Sequence, residues 1–168
     1  MSLEEIERVF IVNAVPEDMV PFEEKVVYQN YLISTDDKET RIRMQIEKGE
    51  TKSKCDITTK EGTGLTRKVT KEKIDEKTYY ELEGNIPDKH QPIIKSRQFF
   101  ALGNSQVMID EFVNTKEPLL LAEVEFRTKE EAEKFTPPYW FGKEVTYDEA
   151  FKNKNLWKKI NSELIFNK

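Results

Sequence analysis

The strongest constraint on this chain is a period of two. Eight stretches read as β-strands: Glu4–Val12, Val26–Ile33, Thr40–Glu47, Ser53–Lys60, Leu65–Lys73, Ile93–Leu102, Gln106–Phe112 and Leu119–Arg127. Most do so by alternation, which sends successive side chains to opposite faces. Val26–Ile33 does so by its β-branched and aromatic content. In the opening stretch Glu5, Glu7, Val9 and Ile11 share one face, and Ile6, Arg8 and Phe10 the other. In Thr40–Glu47, Ile42, Met44 and Ile46 oppose Arg41, Arg43, Gln45 and Glu47. In Leu119–Arg127, Leu120, Ala122, Val124 and Phe126 oppose Leu121, Glu123, Glu125 and Arg127. Turn chemistry joins several neighbours, at Thr35–Lys38, Lys48–Glu50, Gly62–Gly64 and Gly103-Asn104. Short turns favour antiparallel pairing. Eight such strands close into a barrel or pack as a sandwich.

Helical patterning is confined to three places. Ile74–Leu82 predicts a short helix closed by Gly84. Thr128 and Glu131 form a capping box that opens a helix through Phe135, stopped by Pro137-Pro138. After a short extended piece, Gly142–Thr146, a second capping box at Thr146 and Glu149 predicts a helix toward Ile160. Its apolar stripe is Phe151, Leu156, Trp157 and Ile160.

At 168 residues the chain is expected to form one domain, 1–168, large enough for a full core. The hydrophobic fraction is 37% and the charged fraction 35%. So much charge implies a heavily charged surface or charge pointing inward. The net charge of −5 argues against a general nucleic-acid binder but leaves room for a local basic pocket. Cys55 is the only cysteine, so no internal disulfide forms and a reducing, cytoplasmic setting is expected. One Cys with one His cannot build a Cys/His zinc site. The N-terminal stretch lacks a signal peptide's apolar core, and no apolar run approaches the roughly 18–20 residues that span a membrane.

The charges have an order. Glu5 and Glu7 come first, then Arg41 and Arg43, Lys60, Arg67, Lys95 and Arg97, Asp110, and finally Glu123 and Glu125. Like charges two apart on one strand face are mildly destabilising, yet E-x-E, R-x-R, K-x-R and E-x-E recur. Facing solvent, each pair is an ordinary polar sheet face. Facing inward around a closed sheet, the pairs form a basic channel with an acidic patch. Such a channel suits a polyphosphate held by Lys and Arg, with Mg²⁺ or Mn²⁺ on the carboxylates.

These residues resemble the motifs of the CYTH superfamily, the triphosphate tunnel metalloenzymes, which include class IV adenylyl cyclases, thiamine triphosphatases and inorganic triphosphatases. Glu5-Ile6-Glu7-Arg8-Val9 resembles the opening E-x-E-x-K of that family, lacking the lysine. Gln29-Asn30-Tyr31-Leu32 resembles Q-G-Y-L, Arg41-Ile42-Arg43 R-x-R, Thr59-Lys60 the end of T-x-K, and Lys95-Ser96-Arg97 K-x-R. Ile109–Phe112 resembles I-D-x-F, and Leu121–Glu125 is L-A-E-V-E. Gly142–Asp148, with Asn153 and Leu156, resembles the closing G-x-E-V-T-x-D…N…L signature. The likeness covers nearly the whole chain, in order.

The resemblance implies an eight-stranded antiparallel barrel, mainly β, open as a tunnel with peripheral helices. It implies a triphosphate-bearing small molecule as substrate, gripped by Arg41, Arg43, Lys60, Arg67, Lys95 and Arg97. It implies Mg²⁺ or Mn²⁺ on Glu5, Glu7, Glu123 and Glu125, and adds Asp110 to that set. Glu5, Glu7, Arg43 and Lys60 are the expected catalytic residues. The expected activity is metal-dependent triphosphate hydrolysis. The alternatives are a class IV-like adenylyl cyclase and a catalytically weakened polyphosphate- or nucleotide-binding protein. Three positions depart from the pattern: Val9 replaces a lysine, and Val69 and Lys71 replace carboxylates. Lys71 is expected to reach the phosphates that a lysine at position 9 would meet. His90 reads as a loop histidine, Trp140 and Trp157 as packing anchors, and Lys158 and Lys159 as solvated. Apolar outer strand faces would allow a homodimer.

Overall fold

The computed structural model describes residues 2–87 and 90–166, and for 2, 3 and 164–166 the backbone alone. Nine strands form one antiparallel sheet: β1 (Ser2–Val12), β2 (Glu23–Ser34), β3 (Lys38–Glu47), β4 (Ser53–Glu61), β5 (Thr66–Ile74), β6 (Ile93–Leu102), β7 (Ser105–Phe112), β8 (Leu119–Phe126) and β9 (Phe141–Glu144). The order is β5-β4-β3-β2-β6-β7-β8-β1-β9, and β5 also pairs with β1. That last pairing closes eight strands into a barrel, so the sandwich alternative falls.

Closure is shared along one strand. Ser2 to Ile6 of β1 pair with Thr70 to Thr66 of β5. Beyond Ile6 the same edge passes to the closing segment. The Val9 amide donates to Thr146 Oγ1 at 3.0 Å, the Val145 amide donates to Val9 O at 2.8 Å, and β9 pairs at Phe10 and Val12. An exposed strand edge invites wrong pairing, and β9 covers this one. Gly142 permits the approach, since a Cβ there would lie 2.8 Å from the Ile11 carbonyl oxygen.

The usual polarity of a sheet is inverted. Outward-facing Phe10, Val12, Phe100, Val107, Ile109, Ala122 and Val124 form an apolar cluster with Phe141. Phe135, at the end of α2 (Lys129–Lys134), packs on it with Val15, Met19 and Trp140. Outward-facing Ile42 and Cys55 pack against Tyr79 of α1 (Glu76–Glu83). Each such buried side chain contributes roughly 1.5–3 kcal/mol. With the apolar faces covered from outside, the polar member of each alternation turns inward.

A third cluster lies at one end of the barrel, on inward-facing residues. Tyr31, Ile93, Phe112 and Leu121 meet Leu156, Trp157 and Ile160 of α3 (Asn153–Phe166), with Val9 and Ile11 packed alongside. This end of the barrel is therefore floored by α3. The second capping box is corrected as well. Thr146 Oγ1 accepts from Val9 and donates to Glu144, so it is spent on strand closure. Asp148 instead caps a 3₁₀ turn at Glu149–Phe151, and α3 begins after it. Trp157 is buried in the floor, and His90 stacks on it at 5.2 Å. Lys158 and Lys159 are exposed. Among the described residues no helix is long and apolar enough to cross a membrane.

Candidate active site

The charged half of the barrel interior is a cavity of about 590 Å³. Its wall contains Glu5 and Glu7 from β1, Arg41 and Arg43 from β3, Lys60 from β4, Arg67 from β5, Lys95 and Arg97 from β6, and Glu123 and Glu125 from β8. Register explains the gathering. Glu5 lies opposite Arg67, and Glu7 opposite Glu125. All the sequence-predicted site residues except Asp110 line this one space.

The acidic side is concentrated. Carboxylate oxygens of Glu5, Glu7 and Glu125 lie within 4.8 Å of one another. Burial, then the charges of Glu5, Glu7 and Glu123, push the Glu125 carboxyl above its ordinary value. Glu123 is raised too, first by burial and then by Asp110. Glu5 behaves oppositely. Burial works to raise it, but Lys60, helped by Arg67 and Arg41, brings it down to about 2. Lys60 Nζ donates to Glu5 Oε1 at 2.5 Å, and Arg67 donates to Glu7 at 2.8 Å.

The cations occupy the β3–β6 arc. Arg43 pairs with buried Asp56 at 3.2 Å, and Thr58 and Gln45 also donate to Asp56. Burial, with Arg41 adjacent, lowers the Arg43 guanidinium to about 10. Arg41 is the exception. It is 8% exposed, its Nε lacks a partner, and it makes no ion pair among the described residues. A buried, underused guanidinium donor is costly unless an acceptor arrives.

Asp110 is placed differently from the other carboxylates. It is fully buried, and both oxygens are occupied: Arg97 donates to them at 2.6 and 2.7 Å, and Lys95 at 2.7 Å. The structure does not bring it to the Glu5–Glu7–Glu125 group. It sits opposite Arg97 on the neighbouring strand, where its charge is consumed by two cations. Lys95 also donates to Asn153 at the start of α3 at 3.1 Å.

The three departures all line the wall: Val9, Val69 and Lys71. Lys71 lies 3.6 Å from Asp56. The pairing Ser2↔Thr70 puts it level with the start of β1, some seven residues or roughly 23 Å of strand from Val9. Lys71 thus enters the same cavity at a different level from position 9.

Sequence reasoning missed Lys25, Glu39, Asp56 and Lys152. Lys25 continues the inward face of Val27 and Gln29, and Glu39 that of Arg41 and Arg43. Extending those two alternations by one step would have found both; Asp56 already lies within Ser53–Lys60, on the face it shares with Thr58 and Lys60. Lys152 follows no strand, and no periodicity points to it.

Fold and site together define a class: a closed antiparallel barrel whose polar interior sets a carboxylate cluster against an arc of arginines and lysines. No protein-family model matches the chain. It is 35% identical over 157 residues to the inorganic triphosphatase of Nitrosomonas europaea, covering 90% of this chain and 95% of that protein. It is 32% identical over 157 residues to the inorganic triphosphatase of Acetivibrio thermocellus, covering 92% and 93%. The crystal structure of the inorganic triphosphatase NE1496 matches with a TM-score of 0.61 at 32% identity, over 90% of this chain and 93% of that one. The PH1819 protein of Pyrococcus horikoshii shares the fold with a TM-score of 0.57 at 20% identity, over 95% of this chain and 89% of that one. The chain belongs to the CYTH superfamily, the triphosphate tunnel metalloenzymes.

Proposed function

We propose that this protein is a metal-dependent hydrolase of inorganic triphosphate or a small organic triphosphate. The observation that carries this reading is the opposition, within one cavity, of Glu5, Glu7 and Glu125 to Arg41, Arg43, Lys60, Arg67, Lys95 and Arg97. A polyanion needs the cations, and the carboxylates facing it need a counter-charge. The relatives named inorganic triphosphatases support the same reading.

The carboxylate group fits a hard divalent cation. Three oxygens within 4.8 Å repel one another, and the Glu125 carboxyl is raised first by its burial and then by that repulsion. Oxygen-only donors suit Mg²⁺ or Mn²⁺, with Glu5, Glu7 and Glu125 as ligands and Glu123 beside them. When bound there, such an ion supplies charge neutralisation and polarisation of phosphoryl oxygens. The chain's own residues do the rest. Arg41 offers its free donor to a phosphate, and Arg43 and Arg67 present planar forks that match phosphate oxygens. Arg43 and Lys60 spread the charge that develops on the transferring phosphoryl group. Glu5 and Glu7 orient the attacking water. Asp110 is assigned a positioning role, fixing Lys95 and Arg97 against the substrate. One free, buried thiol, Cys55, suits a reducing cytoplasm.

The test is phosphate release from inorganic triphosphate with Mg²⁺ or Mn²⁺, comparing the native chain with Glu123→Gln/Glu125→Gln. Metal-dependent release that falls by about two orders of magnitude or more in the double variant is expected. Failure of the native chain to release phosphate from inorganic triphosphate, ATP and thiamine triphosphate alike would overturn the reading.

A further inference from the structure

Every assigned cation of the cavity stands on a barrel strand. Lys152 does not. It lies between the 3₁₀ turn and α3, and it lines the cavity beside Val145, Phe151 and Asn153. Strands β7, β8 and β1 contribute Met108, carboxylates and Val9 to the wall, and no cation. The closing segment that runs along β1 through Val145 and Thr146 therefore brings a positive charge that the neighbouring strands lack.

Its pairing also sets Lys152 apart. Lys60, Lys95, Arg43, Arg67 and Arg97 are tied to carboxylates that are largely buried. The Lys152 side chain is only 14% exposed, but its partner at 2.6 Å, Glu149, is 58% exposed. An ion pair with one well-solvated member contributes little, because water readily takes over the carboxylate. The ammonium can leave Glu149 for a phosphate at low cost. Asn153, the next residue, already accepts from Lys95, so this segment reaches the cationic arc from the floor.

We propose that Lys152 is a substrate-binding residue, exchanging Glu149 for a phosphate at the floor end of the cavity. This rests on the triphosphate reading above. The experiment measures Kd for inorganic triphosphate by calorimetry, and KM and kcat by phosphate release, for the native chain, Lys152→Gln, Lys152→Arg and Glu149→Gln. Lys152→Gln should raise Kd and KM roughly tenfold, the scale of one charge-assisted contact, with a smaller change in kcat. Lys152→Arg should restore most of the affinity. Glu149→Gln should tighten binding or leave it unchanged, since it removes only the competing anion. Kd and KM within twofold of native in Lys152→Gln would overturn the proposal. So would Glu149→Gln weakening binding as much as Lys152→Gln, which would mark the pair as structural. A native chain that neither binds nor cleaves inorganic triphosphate would instead overturn the functional reading beneath it.

Discussion

The same strands build two unlike halves of the barrel interior. On β1, Glu5 and Glu7 give way to Val9 and Ile11 along a single face. On β6, Arg97 and Lys95 give way to Ile93, and on β8, Glu125 and Glu123 give way to Leu121. The change falls where α3 enters. Covered by Leu156, Trp157 and Ile160, the inward face is buried and apolar. Left open, it is charged. The difference separates what stabilises the barrel from what the barrel does. The floor and the two outer clusters supply apolar burial, while the cavity holds ion pairs whose desolvation roughly cancels their attraction.

Two substitutions probe the two halves. In the charged half, Asp110→Asn deprives two buried cations, Lys95 and Arg97, of their shared carboxylate. Breaking a buried pair in this way costs about 3–5 kcal/mol, measurable by urea denaturation, and inorganic triphosphate affinity should fall with it. A loss under about 1 kcal/mol would mean that Lys95 and Arg97 are held by something other than Asp110. In the apolar half, Leu156→Ala should cost about 2–4 kcal/mol through lost contact and a residual cavity. At temperatures where that variant stays folded, its KM for inorganic triphosphate should remain within about twofold of native. A KM that rose in step with the lost stability would show that the floor positions the substrate, and the contrast between the halves would fail.

The comparison also explains what the sequence made legible. Alternation in Arg41–Glu47 and Leu119–Arg127 locates strands and faces, because the side-chain period is fixed by backbone geometry. It cannot say which face points inward, since an open sheet and a closed one alternate alike. Doubled like charges, read with the family resemblance, settled that choice for Arg41 and Arg43, for Lys95 and Arg97, and for both E-x-E pairs. The floor was less visible. Phe151, Leu156, Trp157 and Ile160 read as a helical stripe, but nothing in their spacing says that they close a barrel. Asp110 has the residue type and the strand position of a metal ligand. Only the cross-strand register shows that Arg97 and Lys95 occupy it. Lys152 and its exposed partner belong to no period at all.

The smallest expected effect is also the most diagnostic of the charged half. Burial, with Arg97 alongside, lowers the Lys95 ammonium from 10.5 to about 8, although Asp110 holds it. Between those two pH values the unfolded chain binds more protons at this lysine than the folded one. Stability at this group therefore rises with pH across that window. Substrate affinity runs the other way. Above pH 8 the empty cavity loses the Lys95 charge, and a bound polyanion must draw the proton back. The Kd for inorganic triphosphate should rise above pH 8, by at most about tenfold per pH unit for one linked proton. Lys95→Arg keeps its charge through this range, so it isolates the effect from the ligand's own titration. A native Kd that parallels the Lys95→Arg curve would show that Lys95 stays charged, and that Asp110 outweighs its burial.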